Sequence, residues 1–214
     1  MPVLLSLEVI DMAKQSTFLA WLVRLSLIKR WALMLCFRKE NVSEHSHQTA
    51  VIAHLLAIIR NKHFGGKLNP ERAATIALYH EVSETKLQDL NSRTKYINPE
   101  FTKQYKKLEA LAEKECLDTL PSDLQDEFRG YILSDKVDPE YKKLVKAADT
   151  LAAYIKARDE LRFHNEEFIQ VRDGFEEKLK FLREEMPEVG YFMDTFVECC
   201  WATVDQLAGI DKKS

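Results

Sequence analysis

The stretch Leu78-Tyr79-His80-Glu81-Val82-Ser83-Glu84 places an imidazole, a hydroxyl and two carboxylates within five residues. It closes an apolar helical run made by Ala73, Ala74, Ile76, Ala77 and Leu78. On a continuous helix His80 and Glu84, four apart, share one face, and Glu81 joins them at its edge. An imidazole beside a carboxylate at the buried edge of a helix is half of a divalent-metal site. Two more candidates lie elsewhere. His45 stands near a predicted helix start, and Asp149 sits between Lys146-Ala147-Ala148 and Thr150-Leu151-Ala152 in a long predicted helix. A carboxylate in apolar surroundings needs a partner, which a bound cation, an arginine or a helix end can supply. Taken by spacing alone, H…HE…D is compatible with a metal site. It is equally compatible with solvated charges at a helix end and a paired buried aspartate.

The elements that must position these side chains read as helices throughout. Lys14 to Arg30 carries Phe18, Leu19, Trp21, Leu22, Leu25 and Ile28 at helical period, with Lys29 and Arg30 in its last turn. Trp31 follows, then an irregular segment through Phe37, Arg38, Lys39 and Glu40. Asn41 or Ser43 caps a helix predicted to run to about Asn61, and Gly65-Gly66 breaks it. Asn69-Pro70-Glu71 opens the helix leading to His80. Residues 86–98 lack sustained periodicity and read as a loop over one mouth of the domain. Further helices are expected over Tyr105–Leu120, Leu124–Leu133, Tyr141–Arg162 (opened by Asp138-Pro139-Glu140), Phe168–Met186 and Tyr191–Leu207. Strand alternation is sustained nowhere, so the expectation is an all-α, single-domain helical bundle over residues 14–214, preceded by an extension over 1–13.

Composition agrees with that class. The 214 residues are 46% hydrophobic and 30% charged, enough for one sizeable core, and the six glycines and six prolines are few for a loop-rich β fold. A formal net charge of −3 supplies no global field for a nucleic-acid polymer. No run reaches the length of a membrane span, and apolar Met1 to Ile10 lacks the basic flank and cleavage site of a leader. Met12 is an alternative start. Cys36, Cys116, Cys199 and Cys200 form no C-x-x-C pair, which points to a reducing, cytoplasmic compartment.

Several segments together are more specific than the spacing. Asn41-Val42-Ser43-Glu44-His45-Ser46, Tyr79 to Glu84, Asp89-Leu90, Thr94-Lys95-Tyr96 and Lys146-Ala147-Ala148-Asp149 resemble the HD-domain phosphohydrolases. Arg30-Trp31 and Phe64-Gly65-Gly66 narrow the resemblance to the bacterial 5'-deoxynucleotidase branch, and it extends over almost the whole chain. That resemblance implies a bundle of the HD-domain type holding one divalent ion (Co, Mn, Mg or similar) through His45, His80, Glu81 and Asp149. It implies removal of the 5'-phosphate from deoxynucleoside monophosphates by a cytoplasmic homodimer, with neither nucleic-acid polymer nor membrane as partner. Glu84 matches the catalytic acid/base, Arg30 the phosphate clamp, Trp31 the group against the sugar, and Asp89 and Lys95 lie near the site.

This chain departs from the branch at two places. Glu81 stands where the family has its namesake aspartate, keeping the charge but lengthening the arm by a methylene. Gln88 replaces a glycine before Asp89, and Asn91-Ser92-Arg93 replaces a Pro-x-Pro after Leu90, which bears on base preference and on the number of phosphates accepted. The competing expectations are an HD-type deoxynucleoside triphosphate triphosphohydrolase and a non-catalytic nucleotide-binding module.

Overall fold

A computed structural model describes residues 15–211, and the expected extension and alternative start lie outside them. Among the described residues every regular element is helical. In chain order these are α1 (Phe18–Val23, continued as a 3₁₀ turn over Arg24–Leu27), α2 (Val42–His63), α3 (Pro70–Tyr79), α4 (Glu84–Leu87), α5 (Ser92–Lys95) and α6 (Pro99–Asp118). They continue as α7 (Gln125–Ile132), α8 (Pro139–Arg162), α9 (Ile169–Glu185), α10 (Pro187–Phe192) and α11 (Val204–Asp211).

The helix starts follow from their caps. Asn41 closes a capping box: its side chain accepts the Glu44 amide at 3.0 Å while Glu44 accepts the Asn41 amide at 3.1 Å. Asn69 and Asp138 likewise take early amides of α3 and α8, each followed by proline. At the other end of α2, Gly65 takes φ +68°, where a side chain would be strained.

Two apolar cores result. The larger joins α2, α3, α8, α9 and α10 around Leu56, Leu144, Leu151, Leu179 and Val189. Ala53, Ala57, Ala73, Ala77, Ala148 and Ala152 are fully buried there, so the α2, α3 and α8 backbones approach closely. The smaller gathers Phe18, Val82, Cys116, Leu117, Leu120 and Ile132.

Five expectations need correction. The first helix stops at Leu27, so Lys29 and Arg30 are not its last turn. Ile28 turns extended, and the backbone bonds go instead to residues 40–42: the Arg30 amide donates to Glu40, and the Val42 amide to Ile28. The helix carrying His80 ends at Tyr79, and 80–83 is a tight turn, so His80 and Glu84 do not share a continuous helical face. Burial of Val82 in the smaller core, while Ala77 serves the larger, draws the chain out of the helix. Residues 86–98 include the end of α4 and all of α5, and the helix expected from Tyr105 starts at Pro99. The last expected helix is broken into α10, a π turn over Met193–Val197, a 3₁₀ turn and α11. The π turn puts Phe192 and Val197, five apart, into the core together.

Candidate metal centre

Three of the larger core's helices deliver the four candidate ligands. His45 comes from the first turns of α2 and is fully buried; Asp149 comes from the middle of α8; His80 and Glu81 follow the end of α3. One ligand atom from each of the four lies within 4.8 Å of all the others. His45 Nε2 is 3.0 Å from Asp149 Oδ1 and 3.8 Å from Glu81 Oε1, and His80 Nε2 is 3.2 Å from the same Glu81 oxygen. The extra methylene of Glu81 therefore carries its carboxylate to the middle of the group.

The donor set fits a divalent cation. His80 Nδ1 lies 2.6 Å from the Ala77 carbonyl, which can only accept, so Nδ1 carries a proton and Nε2 is the nitrogen turned to the cluster. That Nε2 is buried with only Glu81 Oε1, 3.2 Å away, set against it, as a ligand position would be. Two imidazoles and two carboxylates suit borderline and hard divalent ions. Burial works against ionised Glu81, but His80 and Arg30 hold it below the usual carboxylate range. Burial likewise opposes ionised Asp149, and the His45 contact and Lys146, 2.7 Å from Oδ2, hold it well below. Both carboxylates are thus anionic at neutral pH.

Around this cluster lie the other expected residues. Arg30 is largely buried, its Nη1 3.7 Å from Glu81 Oε1. Burial disfavours its charge, yet Glu40, Glu81 and Asp149 outweigh that and raise its pKa. Trp31 has φ +59°, a strained conformation for a bulky residue. Its ring packs on Phe168 at 5.3 Å between centroids. Burial, followed by the charges of Glu81 and Asp89, pushes Glu84 up to about 10, so it keeps its proton. Its Oε2 is buried and unpartnered. Asp89 is raised too, first by burial, with Arg30 opposing. Lys95 is turned toward α6, where its ammonium lies 2.5 Å from Glu109 and over the Tyr105 ring.

Two further carboxylates to which the sequence pattern assigns no role, Glu40 and Glu160, hold the substrate side. Glu40 Oε2 accepts from both Arg30 Nε, at 3.2 Å, and Trp31 Nε1, at 2.8 Å. The signal available for it is a lone acid closing the Arg38-Lys39 run just before a helix cap. Glu160, fully buried on α8, accepts the amides of Phe37 (2.9 Å) and Arg38 (3.0 Å), Asn165 Nδ2 (2.9 Å) and the Lys156 ammonium. It moors the segment that follows Trp31.

With that geometry in place, likeness to known proteins becomes informative. A family model described as 5'-deoxynucleotidase YfbR-like matches residues 17–200. Over 195 residues the chain is 45% identical to the 5'-deoxynucleotidase of Vibrio cholerae serotype O1, covering 91% of this chain and 100% of the relative. It is 44% identical over 195 residues to 5'-deoxynucleotidase YfbR of Escherichia coli O127:H6, covering 91% and 97% respectively. In fold it is similar to an HD-domain phosphohydrolase from Listeria innocua, with TM-score 0.75 and 20% identity over 92% of this chain and 98% of that one. It is also similar to the cyanophage S-2L HD phosphohydrolase DatZ, solved bound to dA and one catalytic Zn²⁺ ion. There the TM-score is 0.62 and the identity 18%, over 84% of this chain and 95% of that one.

Proposed function

The chain belongs to the YfbR-like 5'-deoxynucleotidase family, and we propose that it hydrolyses the 5'-phosphate of deoxynucleoside monophosphates at the cluster of His45, His80, Glu81 and Asp149. The observation carrying this reading is the convergence of those four ligand atoms within 4.8 Å, lined by a guanidinium and a protonated carboxyl. The four residues would hold one divalent ion such as Co²⁺, Mn²⁺ or Mg²⁺. When bound, such an ion supplies Lewis-acid polarisation of the phosphoryl group and an acidified water.

The rest follows from side chains. Arg30, kept charged by its carboxylate neighbours, offers a planar fork to the phosphate. Trp31 walls the sugar, where a 2'-hydroxyl would meet the indole. Hydrolysis bonds a water oxygen to phosphorus, breaks the P–O5' bond and leaves a proton on the 5'-oxygen. Glu84 holds a proton it can give to that leaving oxygen. Asp89 would border the nucleotide beside Arg30, and Lys95, whose ammonium is engaged by Glu109, would have to leave α6 to reach it.

Residues 14–214 form the catalytic unit in this reading. Four free thiols, Cys199 and Cys200 exposed, fit a reducing cytoplasm. Exposed Leu19, Val23 and Leu27, at four-residue spacing, supply an apolar stripe for a homodimer. The test is a panel of deoxyribo- and ribonucleotides with each metal, following orthophosphate and polyphosphate release. Orthophosphate from deoxynucleoside monophosphates is expected. Tripolyphosphate from triphosphates, or no turnover with metal bound, would overturn the reading in favour of its two rivals.

A further inference from the structure

One carboxylate oxygen ties together the two side chains that face the substrate from the irregular segment. Glu40 is buried, and its Oε2 accepts from Arg30 Nε at 3.2 Å and from Trp31 Nε1 at 2.8 Å. Its backbone is engaged as well, for the Arg30 amide donates to its carbonyl at 3.0 Å. Lys29 pairs with Asn41 in an isolated antiparallel bridge, so residues 28–31 and 40–42 form one hook. We propose that Glu40 is a positioning residue that couples phosphate recognition by Arg30 to sugar recognition by Trp31.

Geometry and charge explain how. Guanidinium is a planar fork of five donors. Committing its Nε to Glu40 fixes the plane and leaves the two terminal nitrogens for the cluster side, where Nη1 already lies 3.7 Å from Glu81. Trp31 holds a strained backbone conformation that persists only where its surroundings enforce it. Phe168 against the ring and Glu40 on the indole nitrogen are those surroundings. A free tryptophan could swing; one pinned at ring face and ring nitrogen cannot. Because both bonds end on one oxygen, movement of either side chain disturbs the other.

The inference rests on the deoxynucleotidase reading for its substrate terms, so its test includes arms independent of turnover. In Glu40→Gln the acceptor is neutral and both bonds weaken. Direct binding of inorganic phosphate to the metal-loaded protein, followed by calorimetry, should weaken roughly tenfold or more, and the deoxyribo- to ribonucleotide ratio of kcat/KM should fall in the same variant. Trp31→Phe keeps a ring but removes the nitrogen donor; it should lower the ratio in the wild-type background and little further beside Glu40→Gln. Nuclear magnetic resonance of the three indole N–H groups, with Trp31 assigned through Trp31→Phe, should show its resonance shift and lose exchange protection in Glu40→Gln. Should Glu40→Gln fail to fold, Glu40→Asp, whose shorter arm cannot reach both donors, carries the same tests. A folded variant with wild-type phosphate binding, sugar ratio and Trp31 resonance overturns the proposal. If the wild type hydrolyses no deoxynucleotide with any metal, the functional reading fails, while the phosphate and resonance arms still decide the role of Glu40.

Discussion

The two halves of the site are built differently. Metal-ligating candidates stand on or directly after α2, α3 and α8, whose alanines are buried against one another. Their positions follow from close-packed helices; His80 is held by its own turn through Ala77, and His45 meets Asp149 across the α2–α8 contact. Substrate-facing candidates stand on residues 28–38 and 84–95, where helices are single turns or absent. There, distant carboxylates do the holding: Glu40 for Arg30 and Trp31, Glu160 for Phe37 and Arg38, Glu109 for Lys95. Of the three non-glycine residues at positive φ among the described residues, Trp31 and Gln88 lie on the substrate side, His164 follows α8, and none is a metal-ligating candidate. The contrast teaches that the metal half is a property of the core and the substrate half a property of a few buried acids.

The largest expected break falls in the metal half. Glu81 reaches between His45, His80 and Arg30 because of its length. Glu81→Asp withdraws the carboxylate by about a carbon–carbon bond, and an error near 1 Å can cost on the order of 100-fold. Metal affinity and turnover should both drop in that variant, read by equilibrium metal binding and orthophosphate release. A rise in either would mean the chain has not adapted to the longer side chain.

Next come Arg30 and Trp31, which sharpen the comparison from the substrate side. Arg30→Ala should weaken every phosphorylated substrate by about 1.5–3 kcal/mol, the value of a charge-assisted hydrogen bond, with metal stoichiometry kept. Trp31→Ala should instead narrow the gap between deoxyribo- and ribonucleotides. Equal losses on both sugars in both variants would show that the roles are misassigned.

Glu160 tests whether a distant acid holds the substrate side. Removing its charge leaves Lys156 buried without its partner. Glu160→Gln should cost about 3 kcal/mol in urea unfolding at pH 7 and raise KM, with metal still bound. Burial opposes ionisation of Glu160, but its hydrogen bonds hold its folded pKa below the ordinary carboxylate value. Its contribution is therefore present above the unfolded value of about 4.3 and lost as pH falls through the lower folded value. The gap between wild type and variant should close below about pH 4; a gap that stays constant would contradict this.

Gln88 carries the smallest effect. At φ +62° and ψ 173° it occupies a region that glycine adopts freely. Gln88→Gly should relieve strain but regain unfolded-state entropy, leaving about 1 kcal/mol of stabilisation and a melting temperature higher by roughly 2–4 °C. A lower melting temperature would show that the Gln88 side chain holds the turn.

The same division governs what could be read from the chain. Asn41, Asn69 and Asp138 announced α2, α3 and α8 because capping is a local interaction, and those helices carry most of the metal half. The end of α3 at Tyr79 was hidden, since Val82 is drawn into a core built with residues far along the chain. Glu160 is hidden for the same reason, since Phe37 and Arg38 lie more than 120 residues away, whereas Glu40 meets Arg30 and Trp31 only ten and nine residues back, across an irregular segment whose path no periodicity marks.

The most direct test of the central claim is to strip the protein of metal and add Mn²⁺ back, measuring bound ion and orthophosphate release from a deoxynucleoside monophosphate together, for the wild type and Asp149→Ala. Release should rise with bound ion and saturate at one ion per chain, and Asp149→Ala should neither retain the ion nor turn over. Full release by the stripped protein, or undiminished release by Asp149→Ala, would contradict a reaction centred on His45, His80, Glu81 and Asp149.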